Sequence, residues 1–356
     1  MSARPHKPGM HPRNRFRDGY DFVALRAGHP TLAPFVVPNA YGDLSIDYAD
    51  SHAVAALNQA LLADAYGLRA WDLPPGGLCP PIPGRSEHLH HLADLLADGA
   101  SGASGAGSAG SAGNAGVPRG RAVAVLDVGT GASCIYPLIG AREYGWRFVG
   151  TEADPASARW AAGLVAAHPQ VADRIEVRLQ SSRLRCFEGV IEPGERFDLS
   201  LCNPPFYASA REAARGNRRK RRNLGGGRKG GDVRNFGGKA GELWCAGGEL
   251  GFVQRMISES AARPQLCRWF TTLVARGATL PRLRRALDDA GASEVRVLEL
   301  SHGAKQSRIL AWRFGDDPVS TSETRDATSR IDAQEENCIL PASGVKGLDD
   351  CFGRQR

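Results

Sequence analysis

Apolar residues return at helical spacing twice near the start of the chain, in SHAVAALNQALLADAYGL (51–68) and SEHLHHLADLLAD (86–98), and predict two amphipathic helices. Between them LPPGGLCPPIPGR (73–85) reads as a rigid, proline-rich loop ending on Arg85. From residue 121 the pattern changes to short apolar runs that alternate with helical periods. RAVAVLDVG (121–129), WRFVGTE (146–152), RIEVRL (174–179) and RFDLSLC (196–202) predict strands. GASCIYPLIGAREYG (131–145) and PASARWAAGLVAAHP (155–169) predict helices, the second opened by Pro155. Further on, GELGFVQRMISESAAR (248–263) and PRLRRALDDAGA (281–292) read as helices, and CRWFTTLVAR (267–276), EVRVLEL (294–300) and SRILAWRF (307–314) as strands. The last two strands are close enough to form an antiparallel edge hairpin around SHGAKQ. Strands alternating with helices predict an α/β fold with a doubly wound, mostly parallel sheet, whose ligands sit beyond the carboxyl ends of the strands.

This patterning divides the chain. Residues 1–20 form a basic N-terminal arm, 21–96 a small helical module, 97–118 a flexible linker of Gly, Ser and Ala, 119–314 the main domain, and 315–356 a polar, patternless tail expected to be largely disordered. The N-terminus is basic but no apolar segment follows it, and no stretch is long enough to span a bilayer. The eight cysteines are scattered, with no C-x-x-C pair, which fits reduced thiols and a cytoplasmic protein. His88, His90 and His91 continue an amphipathic helix with no cysteine at ligand spacing, so no metal site is expected there.

Formal net charge is +7, and its distribution is uneven. Residues 207–242 hold eleven basic side chains against three acidic ones, with Arg218, Arg219, Lys220, Arg221 and Arg222 in one run. Glycine-rich sequence around that run suggests a lid gripping phosphates. Arg13 and Arg15, beside Phe16, add a second candidate contact to a nucleic-acid backbone.

Two strand ends carry candidate chemistry. In LDVGTGASC, Gly129 and Gly131 permit a sharp turn and a close approach of a ligand to the main chain after Asp127. Cys134 replaces the third glycine of a dinucleotide fingerprint, so a phosphate is not the obvious occupant. In LCNPPF, Pro204 and Pro205 remove two backbone donors and end the strand rigidly at Asn203, with Phe206 following.

The acid-x-Gly-x-Gly loop resembles the first motif of class I S-adenosylmethionine-dependent methyltransferases, and Glu152 matches the second-strand acid that accepts the ribose hydroxyls in that family. Asn203-Pro204-Pro205-Phe206 resembles the motif of enzymes that methylate a planar nitrogen, such as adenine N6, cytosine N4 or glutamine N5. An exocyclic amino lone pair is delocalised and must be drawn toward sp³ geometry before it attacks. An asparagine oxygen and a rigid Pro204 carbonyl do this by each accepting one N–H, while an aromatic ring stacks on the base. A base reaching such a pocket must be single-stranded or flipped.

With KPGMHPRNRF, CPPIPGR, HHLADLLA, RKRRNLG, NFGGKAGELWCAGGE and KQSRILAW added, residues 7–314 resemble the bacterial ribosomal RNA large subunit methyltransferase F family. The resemblance implies a Rossmann-like class I methyltransferase fold, with a seven-stranded sheet and an N-terminal helical module. It implies N6-methylation of one adenine in 23S rRNA, as free RNA or a large-subunit precursor. No membrane partner is expected, no metal is needed because the leaving group already carries the positive charge, and a monomer is expected. It places Arg85 on the methionine carboxylate, Gly129 and Ser133 in the cofactor loop, and Ser182, or its neighbour Ser181, near the adenine ring. Three alternatives stay open: a protein glutamine methyltransferase, which needs no basic lid; a DNA adenine methyltransferase; and an inactive RNA-binding module, against which the intact motifs argue.

Overall fold

The computed structural model describes residues 9–100, 116–215, 244–302 and 305–315. The two early helices are α1 (Ser51–Tyr66) and α2 (Ile82–Ala100). The alternating region gives β1 (Ala124–Val128), α3 (Ile135–Glu143), β2 (Arg147–Glu152), α4 (Pro155–Ala166), β3 (Ile175–Leu179) and β4 (Phe197–Cys202). After these come α5 (Gly248–Ala262), β5 (Cys267–Val274), α6 (Leu280–Asp289), β6 (Glu294–His302) and β7 (Lys305–Arg313). The seven strands lie in the order β3-β2-β1-β4-β5-β7-β6. The first five are mutually parallel, and β7 runs antiparallel to both β5 and β6. Order reverses between β1 and β4, the switch point where such sheets leave a crevice.

Period-2 alternation distributes the strands between two cores. Val125, Trp269 and Ile309 face one hydrophobic cluster with α1, α2, α3 and α4, whereas their neighbours Leu126, Phe270 and Leu310 face a second with α5 and α6. Local signals set the helix ends. Asp50 caps α1 by accepting the His52 and Ala53 amides, and Gly67 at φ 69° ends it. Asp154 caps α4 ahead of Pro155. Gly140 in α3 is dictated by packing, because a Cβ there would lie 2.3 Å from the Phe148 ring.

Three expectations change. Helix α2 starts at Ile82, so Arg85 sits in its first turn rather than at the end of a loop; Pro83 is tolerated there because first-turn amides need no helical acceptor. The same helix runs through residue 100, into the low-complexity stretch, and Val117 and Pro118 are packed at the other end, Pro118 accepting the Trp146 indole N–H at 2.8 Å. The described part of the N-terminal arm is packed onto the fold: Met10 and Phe16 are buried, and Asn14 donates to Glu87 and to the Pro83 carbonyl. Residues 101–115 of the linker and 316–356 of the tail lie outside the described residues.

Candidate functional site: the crevice at the switch point

The loop after β1 is built around positive φ. Gly129 (76°) and Gly131 (67°) occupy this region, and so does Cys134 (46°), which among the described residues is the one non-glycine to do so. A thiol side chain is small enough to be buried there, and burial pushes its pKa up to about 12. Gly129 and Thr130 donate their amides to the Thr151 carbonyl on β2, each at 2.9 Å. Glu152 completes the tie. One carboxylate oxygen accepts the Gly131 amide at 3.0 Å and the other the Asp154 amide at 2.8 Å. Burial, stronger here than these hydrogen bonds, raises the Glu152 pKa.

Beneath the loop, Asp127 is 1% exposed and its Oδ2 has no hydrogen-bond partner among the described residues. Burial pushes its pKa up to about 7, opposed by Thr130 and Arg85. Arg85 reaches the site from α2. Its Nη1 donates to the Tyr136 hydroxyl at 2.8 Å, its guanidinium lies 5.2 Å from the Tyr136 ring centroid, and its Nε has no partner among the described residues. The Tyr136 hydroxyl also meets His88 Nδ1 at 2.9 Å; burial drives the His88 pKa well below its usual value, so the imidazole is neutral. His90 pairs with Tyr144 and Ser86, and His91 with Glu87. Among the described residues, no three His, Cys, Asp or Glu side chains gather as for a metal ion.

At the end of β4, Asn203 is partly buried, with its Oδ1 sealed from solvent and without a partner among the described residues. Just beyond it, Tyr207 bridges to Trp244, and the Cys245 amide donates to the Tyr207 carbonyl at 3.1 Å. The chain therefore leaves and re-enters beside the asparagine, bringing Trp244 and Arg255 to the same wall. A cavity of about 470 Å³ joins these parts, within the span of roughly 300–1,000 Å³ usual for small-molecule sites. Arg85, Gly129, Gly131, Ser133, Glu152, Asn203 and Pro205 line it. A Cβ on Gly129 would meet nothing within 4 Å, so the loop turns an open backbone face outward.

Other expected residues are placed differently. Ser182 does not line the cavity: its amide donates to Gln180 and its hydroxyl accepts the Leu184 amide, closing a local turn. Gln180, Arg183 and Leu184 form that wall instead, on a segment steadied by Glu259, which accepts the Cys186, Phe187 and Glu188 amides. Pro204 is buried, and Phe206 is half-buried just past Pro205 rather than in the cavity wall. Arg13 is not at the surface. It donates to Asp94 at 2.5 Å, to the His90 carbonyl and to Tyr144, with its side chain 9% exposed, because the N-terminal segment packs against α2 and α3. Arg15 is half exposed and pairs with Glu143 at 2.9 Å. Arg218, Arg219, Lys220, Arg221 and Arg222 lie outside the described residues.

Tyr136, Gln180, Trp244 and Arg255 were not foreseen. Tyr136 carried a usable signal, an aromatic hydroxyl in the first turn of the helix that opens after the glycine loop. The other three join the site through tertiary pairing that spacing does not encode.

A parallel sheet in the order 3-2-1-4-5 with an antiparallel 7-6 edge, a glycine loop after β1, an acid after β2 and Asn-Pro-Pro-Phe after β4 define a class I methyltransferase. Comparisons with known proteins narrow the class. A family model described as RNA methyltransferase matches residues 4–316. The Ribosomal RNA large subunit methyltransferase F of Serratia proteamaculans is 50% identical over 311 residues, 87% of this chain and 89% of that protein. Its namesake from Yersinia enterocolitica is 49% identical over 312 residues, 86% of this chain and 88% of its own. Among solved structures, the hMettl16 catalytic domain in complex with the MAT2A 3'UTR hairpin 1 is 31% identical with a TM-score of 0.70, covering 87% of this chain and 96% of that one. The N-terminal domain of human METTL16 in complex with SAH is 28% identical with a TM-score of 0.64, covering 86% and 99%. The chain belongs to the ribosomal RNA large subunit methyltransferase F family.

Proposed function

We propose that this protein is an S-adenosylmethionine-dependent methyltransferase that modifies the exocyclic N6 of one adenine in 23S rRNA. The observation that carries this reading is the Asn203 Oδ1, an amide oxygen buried without a partner among the described residues at the rigid end of β4, on a residue that lines the cavity beside the glycine loop. A buried acceptor with nothing to accept is costly unless a ligand supplies the donor.

The residues present fit the cofactor. Arg85, held on Tyr136 with Nε free, would take a carboxylate. Glu152 keeps lone pairs beyond the two amides it accepts and would take ribose hydroxyls. Gly129, Gly131 and Ser133 supply the open backbone, with Asp127 beneath them and Arg183 and Leu184 standing where Ser182 was expected. When bound, the cofactor supplies an electrophilic methyl group on a sulfonium.

The protein's own contribution is positioning. Asn203 Oδ1 accepts one amino hydrogen and the Pro204 carbonyl the other, and these two directions draw the nitrogen lone pair out of conjugation. The proline rings keep both acceptors fixed, so little reorganisation accompanies the reaction. Phe206, past the cavity wall, offers a ring for the flipped base. The excess proton leaves to water after transfer. Basic residues of 207–242, anchored at their flanks by the Tyr207–Trp244 bridge, would grip RNA phosphates.

Labelled S-adenosylmethionine incubated with protein-free 23S rRNA, followed by nucleoside digestion and mass spectrometry, tests the proposal. N6-methyladenosine at one position is expected. Label on another nucleoside, or no label on RNA, would overturn it.

A further inference from the structure

Polar side-chain atoms buried without a partner are rare in folded proteins, and each calls for an explanation. Among the described residues Arg85 Nε, Asn203 Oδ1, Trp244 Nε1 and Arg255 Nε are such atoms, and all four residues line the same cavity. Arg85 and Asn203 have roles in the proposed reaction, and the Arg255 guanidinium is held over the Phe252 ring with Nη1 donating to the Ala246 carbonyl; the Trp244 N–H has neither a role nor a partner among the described residues. It is fixed beside the strand end that carries Asn203, by its bridge to Tyr207 and by the Cys245 amide on the Tyr207 carbonyl. An indole N–H only donates, and a buried tryptophan normally satisfies it.

Beside the end of β4, the wall thus sets one unsatisfied acceptor, Asn203 Oδ1, and one unsatisfied neutral donor, Trp244 Nε1, on neighbouring segments. That pair complements the edge of a base on which an amino group stands next to a ring nitrogen, as N6 does beside N7 in adenine. We propose that Trp244 is a specificity-determining residue: its Nε1–H donates to a ring nitrogen flanking the N6 amine, N1 or N7, while Asn203 Oδ1 accepts from the amine. This inference rests on the functional reading above. Guanine would set its O6 acceptor against the Asn203 oxygen and, at N1, an N–H against the indole N–H. Uracil fails in the same way at O4 and N3. A site whose polar groups are left unpaired by the wrong base discriminates far more strongly than one relying on shape.

The test uses the full-length enzyme, its Trp244→Phe variant, and 23S rRNA ligated to carry 1-deazaadenine or 7-deazaadenine at the modified position. Trp244→Phe keeps an aromatic ring and removes the N–H. Its kcat/KM on adenine should fall by about three- to tenfold, the loss expected for one neutral hydrogen bond. Cofactor affinity by calorimetry should be unchanged, which also reports that the variant is folded. One analogue should slow the wild type by a similar factor yet leave the variant as fast as it is on adenine, since the two changes delete the same hydrogen bond. Both analogues slowing variant and wild type by the same factor, a variant as fast as wild type, or a variant with weakened cofactor binding would overturn the assignment. So would a wild type indifferent to both analogues, whatever the variant does. A wild type that makes no N6-methyladenosine on unmodified 23S rRNA would instead remove the functional reading first, and this inference with it.

Discussion

Glu152 and Gly131 are joined at 3.0 Å, carboxylate oxygen to backbone amide, so the acid at the end of β2 holds the glycine loop at the end of β1 in its turned conformation. The other oxygen holds the Asp154 amide in the same way. Glu152→Gln keeps the shape but turns one acceptor into a donor facing an N–H. Hydrogen bonds to a charged group contribute about 1.5–3 kcal/mol, so cofactor affinity should fall by roughly ten- to a hundredfold. Titration calorimetry with S-adenosylmethionine checks this; unchanged affinity would detach Glu152 from the site.

Asp127 gives the ligand-free protein a pH dependence of defined sign. Burial pushes its pKa up to about 7, well above the value of about 3.9 of an unfolded aspartate. Between those values the folded chain keeps a proton that the unfolded chain has released, so stability falls as pH rises through this window and levels off above about 7. Asp127→Asn removes the titrating group. The variant should gain stability relative to wild type between pH 5 and pH 8 in chemical denaturation, and an equal offset at both would contradict the assignment.

Fold and glycine loop were legible because their signals are local. Alternation of short apolar runs with helical periods marked every sheet strand to within a few residues, and Gly129, Gly131 and Pro155 fall where backbone geometry demands them. The strand end before Asn203 was legible for the same reason, since two prolines cannot continue a strand. What the sequence does not announce depends on distant partners. Arg13 has the composition of a surface cation, and nothing near it in sequence announces Asp94 and Tyr144. Ser182 was set by family pattern, while the turn at 180–184 directs its hydroxyl to the Leu184 amide. Trp244 joins the site through the bridge to Tyr207, a pairing that no periodicity encodes.

Tyr136 accepts from Arg85 and pairs with neutral His88 through one hydroxyl. Tyr136→Phe leaves the buried His88 Nδ1 and the half-buried Arg85 Nη1 without that partner. Each such group left unsatisfied costs about 1–3 kcal/mol, so the denaturation midpoint should drop measurably and cofactor affinity should weaken as Arg85 loses its anchor. A variant with wild-type stability would mean that the hydroxyl carries no such role.

Neutralising Arg218, Arg219, Lys220, Arg221 and Arg222 should weaken RNA binding and flatten its salt dependence, by about 0.7 in the slope of log affinity against log salt for each single-strand phosphate that the variant no longer neutralises. Cofactor affinity should hold. Binding measured across a salt series checks both, and an unchanged slope would remove this run from the RNA interface.

The central claim is that Asn203 positions the acceptor nitrogen. Single-turnover methyl transfer to 23S rRNA by Asn203→Ala, alongside calorimetric S-adenosylmethionine binding by the same variant, tests it most directly. Loss of one preorganised group in such a site costs about 2.7–4 kcal/mol, so the rate should fall roughly a hundred- to a thousandfold with cofactor affinity near wild type. Near-normal transfer by the variant would contradict the account.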